Sequence, residues 1–161
     1  MHCWSDVRLS STGSGSYLYA NGDCAKVSSI GFKNKIAVIG NRIYVTSSGH
    51  CEDISTEGND AKIFSGGCEA AITVIGDRAR ITATGDECDV TYNGAHGVLF
   101  IAGNYGKFSC SEGTLVHAVV YDDSETPIGK LTGRIGQDGL KPNTKYTIQD
   151  GKLVEVETEN E

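Results

Sequence analysis

Apolar and polar positions along this chain alternate in short runs that repeat every nine residues. Counted from the start of each unit, the first position is Gly13, Gly22, Gly31, Gly40, Gly49, Gly58, Gly67, Gly76, Gly85, Gly94 and Gly103, eleven glycines with no slip in spacing. The sixth position reads Leu18, Val27, Ile36, Val45, Ile54, Ile63, Ile72, Ile81, Val90, Leu99 and Phe108, all apolar. The fourth position is mostly small, with Asn34, Ile43 and Glu52 as exceptions, and the eighth is small or apolar. Positions four, six and eight therefore share one face and positions five and seven the other, the period-two alternation of a β-strand. The glycine is expected to take a positive φ where the chain turns a corner.

One short strand and one bend cannot bury an apolar face alone, but stacked units can. The pattern predicts an all-β fold, a β-solenoid (β-helix) of about eleven nine-residue repeats, with a small antiparallel β cap at its C-terminus. Two units make a coil of eighteen residues and three make one of twenty-seven. The eighteen-residue coil lines up Arg42, Asp60 and Arg78 and sets Lys35 beside Asp53, but it also stacks Lys62 on Arg80 and Glu69 on Glu87. The longer coil lines up Lys26, Asp53 and Arg80, and sets Asp60 against Glu87. Charge stacking hardly separates them; the two-unit coil is favoured because nonapeptide solenoids use it.

Residues 1–12 contain "WSDVRLSST", a degenerate capping unit that keeps Val7, Leu9 and Ser11 in the inward positions. The solenoid is assigned to 13–113. The register fails at Glu112 and His117, and longer strand-like runs over 114–157 form the cap, with Asp150-Gly151 as a hairpin signal. Residues 158–161 are a tail.

Glycine, at 21 residues, is far above its usual share, and hydrophobic residues make up 39%, a composition suited to a thin structure with many turns. The net charge of −7 argues against direct nucleic-acid binding, which needs a basic face. The opening "MHCWSDVRLSSTGSGS" lacks the basic and apolar regions of a secretory signal, and no run approaches the ~20 apolar residues of a membrane span. A cytoplasmic protein with no membrane association is expected, and its six cysteines, Cys3, Cys24, Cys51, Cys68, Cys88 and Cys110, are expected as reduced thiols.

The last third carries a resemblance. "GAHGVLFIAGNYGKFSC", "VVYDD" and "GLKPNTKYTIQDGKLVEVE", from about residue 94 onward, resemble the C-terminal part of an uncharacterised phage and prophage family with tandem nonapeptides of the form G-x-x-S-A-A-x-N-T. This chain departs from it in carrying Ile or Val at the sixth position, where that family usually has Ala. The resemblance implies a phage or bacterial origin, a host-cell cytoplasmic location if phage-encoded, and no enzymatic activity. It supplies no catalytic residues.

The residues themselves offer little chemistry. In an eighteen-residue coil His50, Cys68 and Asp86 stack in one column, beside Cys51, Glu69 and Glu87, but ladder neighbours project in parallel rather than converge on a metal. Cys88 and Cys110 fall at inward positions, and the pair Cys110–His117 has no third group to orient it. Asp occurs at the second position only as Asp23, Asp77 and Asp86, too sparse for a calcium-binding nonapeptide roll. No metal and no cofactor are expected.

What remains is surface. Residues 13–113 hold eleven Asp/Glu against eight Lys/Arg, too few for imitation of duplex DNA along the whole rod. A local acidic strip of Asp53, Glu57, Glu69, Glu87 and Asp89 is the candidate binding site. The expected function is non-enzymatic protein–protein binding to a host or phage protein, as an inhibitor of a host defence complex of the nuclease or CRISPR type. The alternative is a structural or assembly module of a phage particle, with homodimers formed through solenoid ends or edges.

Overall fold

The computed structural model describes residues 6–122, 124–137, 139–149 and 151–156; the expected tail at 158–161, the first five residues with Cys3, and the turn residues Asp123, Asp138 and Asp150 lie outside them. Strands alternate between two eight-stranded sheets. Sheet A contains β1 (Arg8–Ser11), β3 (Lys26–Ser29), β5 (Tyr44–Ser47), β7 (Lys62–Ser65), β9 (Arg80–Ala83), β11 (Val98–Ile101), β13 (Leu115–Tyr121) and β14 (Pro127–Arg134), in that spatial order. Sheet B contains β2 (Tyr17–Asn21), β4 (Lys35–Ile39), β6 (Asp53–Glu57), β8 (Ala71–Ile75), β10 (Asp89–Asn93) and β12 (Lys107–Cys110), followed by β15 (Tyr146–Gln149) and β16 (Lys152–Glu155). No helix occurs among the described residues, and none is long and apolar enough to cross a membrane.

Within the repeats every strand pairs in parallel with the strand eighteen residues away, as in Leu18↔Ile36 and Val27↔Val45. The protein is a β-solenoid with two nine-residue units per coil. All the sixth-position residues are buried between the sheets, from Leu18 at 9% exposure to Ile54, Val90, Leu99 and Phe108 at 0%. Each such aliphatic contributes on the order of 1.5–3 kcal/mol of burial. The eighth position of one unit and the fourth of the next meet at the same interior corner, and their sizes compensate. A Cβ on Gly97 would lie 2.1 Å from the Tyr92 ring, and one on Gly106 would lie 2.5 Å from Ile101 Cδ1. Where the eighth position is serine, the fourth can be long: Asn34 Nδ2 donates to Ser29 Oγ at 2.9 Å, and Ser29 Oγ donates to the buried Glu52 Oε1 at 2.9 Å.

The glycine expectation holds at five corners, where Gly22, Gly31, Gly40, Gly58 and Gly76 have φ of 132–155°. The third position of each unit is left-handed as well: Lys33, Arg42, Cys51, Asp60, Glu69, Arg78 and Glu87 all have φ of 54–60°. Each costs on the order of 1 kcal/mol. That cost is offset by hydrogen bonds along the stack, such as Arg42 N–H to Asn59 O and Asp60 N–H to Asp77 O, both 2.8 Å. The glycine column also serves close approach. A Cβ on Gly67 would sit 1.5 Å from Gly49 O, and one on Gly58 would sit 1.9 Å from Gly40 O. Successive glycine corners lie directly on one another, leaving no room for a side chain.

One corner carries a further ladder. Asp23 Oδ1 accepts from Asn41 N, Asn41 Oδ1 from Asn59 N, Asn59 Oδ1 from Asp77 N, and Asp77 Oδ1 from Ala95 N, at 2.8–3.0 Å. Each carboxamide or carboxylate thereby holds the coil above it.

Both sheets end in hairpins at the C-terminus. The register slips by one residue at Glu112, so that Leu99 pairs with Val116, and β13 continues sheet A in parallel before β14 folds back antiparallel to it. β15 adds antiparallel to β12 and turns through Gly151, φ 72°, into β16. Tyr146 packs its ring 5.9 Å from that of Phe108 and closes the core.

Candidate binding faces

Asp53 and Glu57 lie on β6, exposed on the outer face of sheet B. Asp89 lies on β10 of the same face, and Glu69 and Glu87 occupy third positions of the corner leading into it. The five residues therefore share one side of the solenoid, but they do not form an unbroken acidic strip. In the fifth-position row Lys35, Asp53, Ala71, Asp89 and Lys107 are successive neighbours. Asp89 is further paired with Lys145 of the cap. Glu69 Oε2 accepts the Cys51 thiol at 3.2 Å, and this hydrogen bond pushes the thiol above its usual range. Glu57 stands exposed between Ile39 and Ile75.

The seventh-position row of sheet B is nearly level. Beyond Tyr19 it reads Ala37, Ser55, Thr73, Thr91 and Ser109, all short. Tyr17 and Tyr19 stand out at one end, 67% and 50% exposed. Sheet B thus offers a flat polar floor with tyrosines, two exposed isoleucines and carboxylates around it.

The outer face of sheet A is different in charge. None of its eight strands contains an acidic residue. One row crosses all eight strands in register: Arg8, Lys26, Tyr44, Lys62, Arg80, Val98, Leu115 and Arg134. Beside it runs Ser28, Thr46, Phe64, Thr82, Phe100 and His117. In sequence the Lys62–Arg80 stacking looks only like a cost; the face exists because folding gathers these cations on one sheet. The signal was available in the parity of the units, since alternate units feed alternate sheets.

The other candidates separate on folding. Cys110 is 1% exposed and points inward from β12 of sheet B; burial pushes its thiol up to about 12. His117 is on β13 of sheet A, where its Nδ1 lies 3.1 Å from Thr132 Oγ1, so the two do not form a dyad. Cys88 is buried and its thiol is likewise raised by desolvation. Among the described residues no three His, Cys, Asp or Glu groups come together as a metal-binding set. Cys51, Cys68, Cys88 and Cys110 are free thiols, but Cys24 is disulfide-bonded, which departs from the expectation of uniformly reduced cysteines. At the corner before sheet A, Arg78 forks onto Asp60, Nε to Oδ1 and Nη2 to Oδ2 both at 2.8 Å, and this hydrogen bonding holds the Asp60 carboxyl below its usual range.

Fold and faces define a two-sheet β-solenoid with hairpin-covered C-terminal edges. No protein-family model, curated protein or solved structure matches the chain.

Proposed function

We propose that this protein is a non-catalytic binding module that docks a protein partner on sheet B and the adjoining corner. The observation that carries the reading is the combination on one face of a level small-residue row, exposed Tyr17, Tyr19, Ile39 and Ile75, and the carboxylates Asp53, Glu57, Glu69 and Glu87. Tyrosine and aliphatic anchors on a flat floor favour close protein contact, and surrounding charge sets register and partner choice. A partner that handles nucleic acid is basic where it does so, which suits this acidic rim. The reading is an inhibitor of a host nuclease-type defence, encoded by a phage or bacterium and acting in the host cytoplasm.

The test is capture of partners from nuclease-treated bacterial lysate by the tagged protein, at low and high salt. A single stoichiometric nucleic-acid-handling protein, lost at high salt and lost when Asp53, Glu57, Glu69, Glu87 and Asp89 are changed to Ser or Asn, supports the reading. Recovery of only the protein itself or of virion components overturns it in favour of a structural module. One feature favours that second reading: β1 and β2 each have a neighbour on one side only among the described strands, an edge that a second copy could extend.

A further inference from the structure

We infer that the outer face of sheet A binds single-stranded nucleic acid, through a row of cations interleaved with aromatic rings. This stands apart from the protein-docking reading, which concerns sheet B. The overall charge of −7 points away from such a ligand, yet folding sorts that charge. Sheet A carries Lys26, Lys62, Arg80 and Lys130 on strands without a single carboxylate, while sheet B takes Asp53, Glu57, Asp89 and Glu155.

Four cations of sheet A have no carboxylate partner among the described residues: no carboxylate lies within 4.0 Å of Lys26, Lys62, Arg80 or Lys130, whereas Arg8, at the end of the row, pairs with Asp6. Lys62 and Arg80 are direct cross-strand neighbours. Like charges so placed destabilise a sheet, and a bound polyanion relieves the repulsion. Beside them Asp60, Lys62, Arg78, Arg80, His96 and Val98 line a shallow cavity of about 330 Å³. Asp60 is already neutralised there by Arg78, so the free charge facing the cavity is that of Lys62 and Arg80.

The rings decide which polyanion fits. Tyr44 lies between Lys26 and Lys62 in one row, and Phe64 and Phe100 lie two strands apart in the next. They are 45%, 43% and 38% exposed. A sheet that puts aromatic platforms beside cations suits unpaired bases stacked on the rings with phosphates on the lysines and arginine. A duplex hides its bases and would use only the charges. The platform is rigid, because β3, β5, β7, β9 and β11, which carry it, are each hydrogen-bonded on both sides, so little ordering cost attends binding.

The experiment is fluorescence anisotropy of the full chain with a labelled single-stranded DNA oligonucleotide, the matching duplex, and heparin as an anionic polysaccharide competitor. The single strand is expected to bind more tightly than the duplex. With three phosphates on Lys26, Lys62 and Arg80, the logarithm of the binding constant should fall against that of salt with slope about −2. Lys62→Glu with Arg80→Glu should weaken binding at least tenfold and flatten that slope. Tyr44→Ser with Phe64→Ser should weaken it by about fivefold or more, from the stacking contribution of one or more bases, and leave the slope unchanged. Lys35→Glu with Lys107→Glu, on sheet B, should change affinity less than twofold. All these side chains are exposed, and unchanged thermal unfolding checks the fold. No binding at low salt overturns the inference. So does equal affinity for single strand, duplex and heparin with no effect of Tyr44→Ser and Phe64→Ser, which would assign the face to polyanions generally.

Discussion

Gly66 and Gly67 are adjacent, yet alanine at the two should act in opposite directions. A Cβ on Gly67 would be 1.5 Å from Gly49 O and 2.5 Å from Gly49 C, all backbone of the coil beneath. A tolerable approach is 3.0 Å or more, so the corner must open by about 1.5 Å against a coil spacing of ~4.8 Å. The backbone bonds joining these two coils nearest the corner are Gly66 N–H to Ser47 O, Cys51 N–H to Cys68 O and Ala71 N–H to Glu52 O, each at 2.9 Å. Losing two or three of these at about 1 kcal/mol each puts the cost of Gly67→Ala at about 2–4 kcal/mol. At Gly66 the nearest atoms to a Cβ are Phe64 Cε1 at 3.5 Å and Thr84 Oγ1 at 3.7 Å, ordinary contacts. Gly66→Ala should therefore be neutral or stabilise by about 0.4–1 kcal/mol through the unfolded chain. Urea unfolding followed by circular dichroism reads both; in a chain of this length the Gly67→Ala loss corresponds to a melting decrease of about 4–16 °C. If Gly67→Ala unfolds within about 0.5 kcal/mol of the parent, the close-approach account of the glycine column is wrong.

Gly97→Ala should cost about 1–3 kcal/mol, because its methyl would meet the buried Tyr92 ring at 2.1 Å; a melting curve checks this, and no change would mean the corner is looser than drawn. Cys88 and Cys110, with thiols raised by burial, should resist a thiol reagent at pH 8 in the folded protein and react at once in urea, which labelling followed by peptide mapping resolves. Asp60 is held below its ordinary value by Arg78, so its contribution to stability is present above the unfolded-state value of about 4 and is lost as pH falls through the lower folded value. Carbon-detected titration of Asp60 should place its midpoint below 3.8, and Arg78→Gln should raise it; a midpoint unmoved by that change would remove the ion pair from the account.

The nine-residue column of glycines and the apolar sixth position were legible because each serves a single backbone or core requirement repeated without interruption. Coil length was harder to read from charges, since Lys35–Asp53 and Lys62–Arg80 argue in opposite directions. A better signal lay in the second position, where Asp23, Asn41, Asn59 and Asp77 recur at eighteen residues and form a side-chain ladder. The left-handed third position of each corner was not legible. Lys33, Arg42, Glu69 and Arg78 occupy it, and none is a residue type that favours that region; the conformation is imposed by the stack. The acidic residues could be named from sequence, but Asp89 is paired with Lys145, 56 residues away, through a cap whose docking no local pattern encodes. The basic face of sheet A escaped notice because net charge averages over two surfaces that folding separates.

The most direct test of a two-faced solenoid is a paired capture from one bacterial lysate with three proteins: the parent, the five-residue acidic variant of sheet B, and Lys62→Glu with Arg80→Glu on sheet A. Retained protein and retained nucleic acid are quantified separately. The account predicts that the first variant loses the protein partner and keeps nucleic acid, and that the second does the reverse. Equal recovery of both components by all three proteins would contradict it.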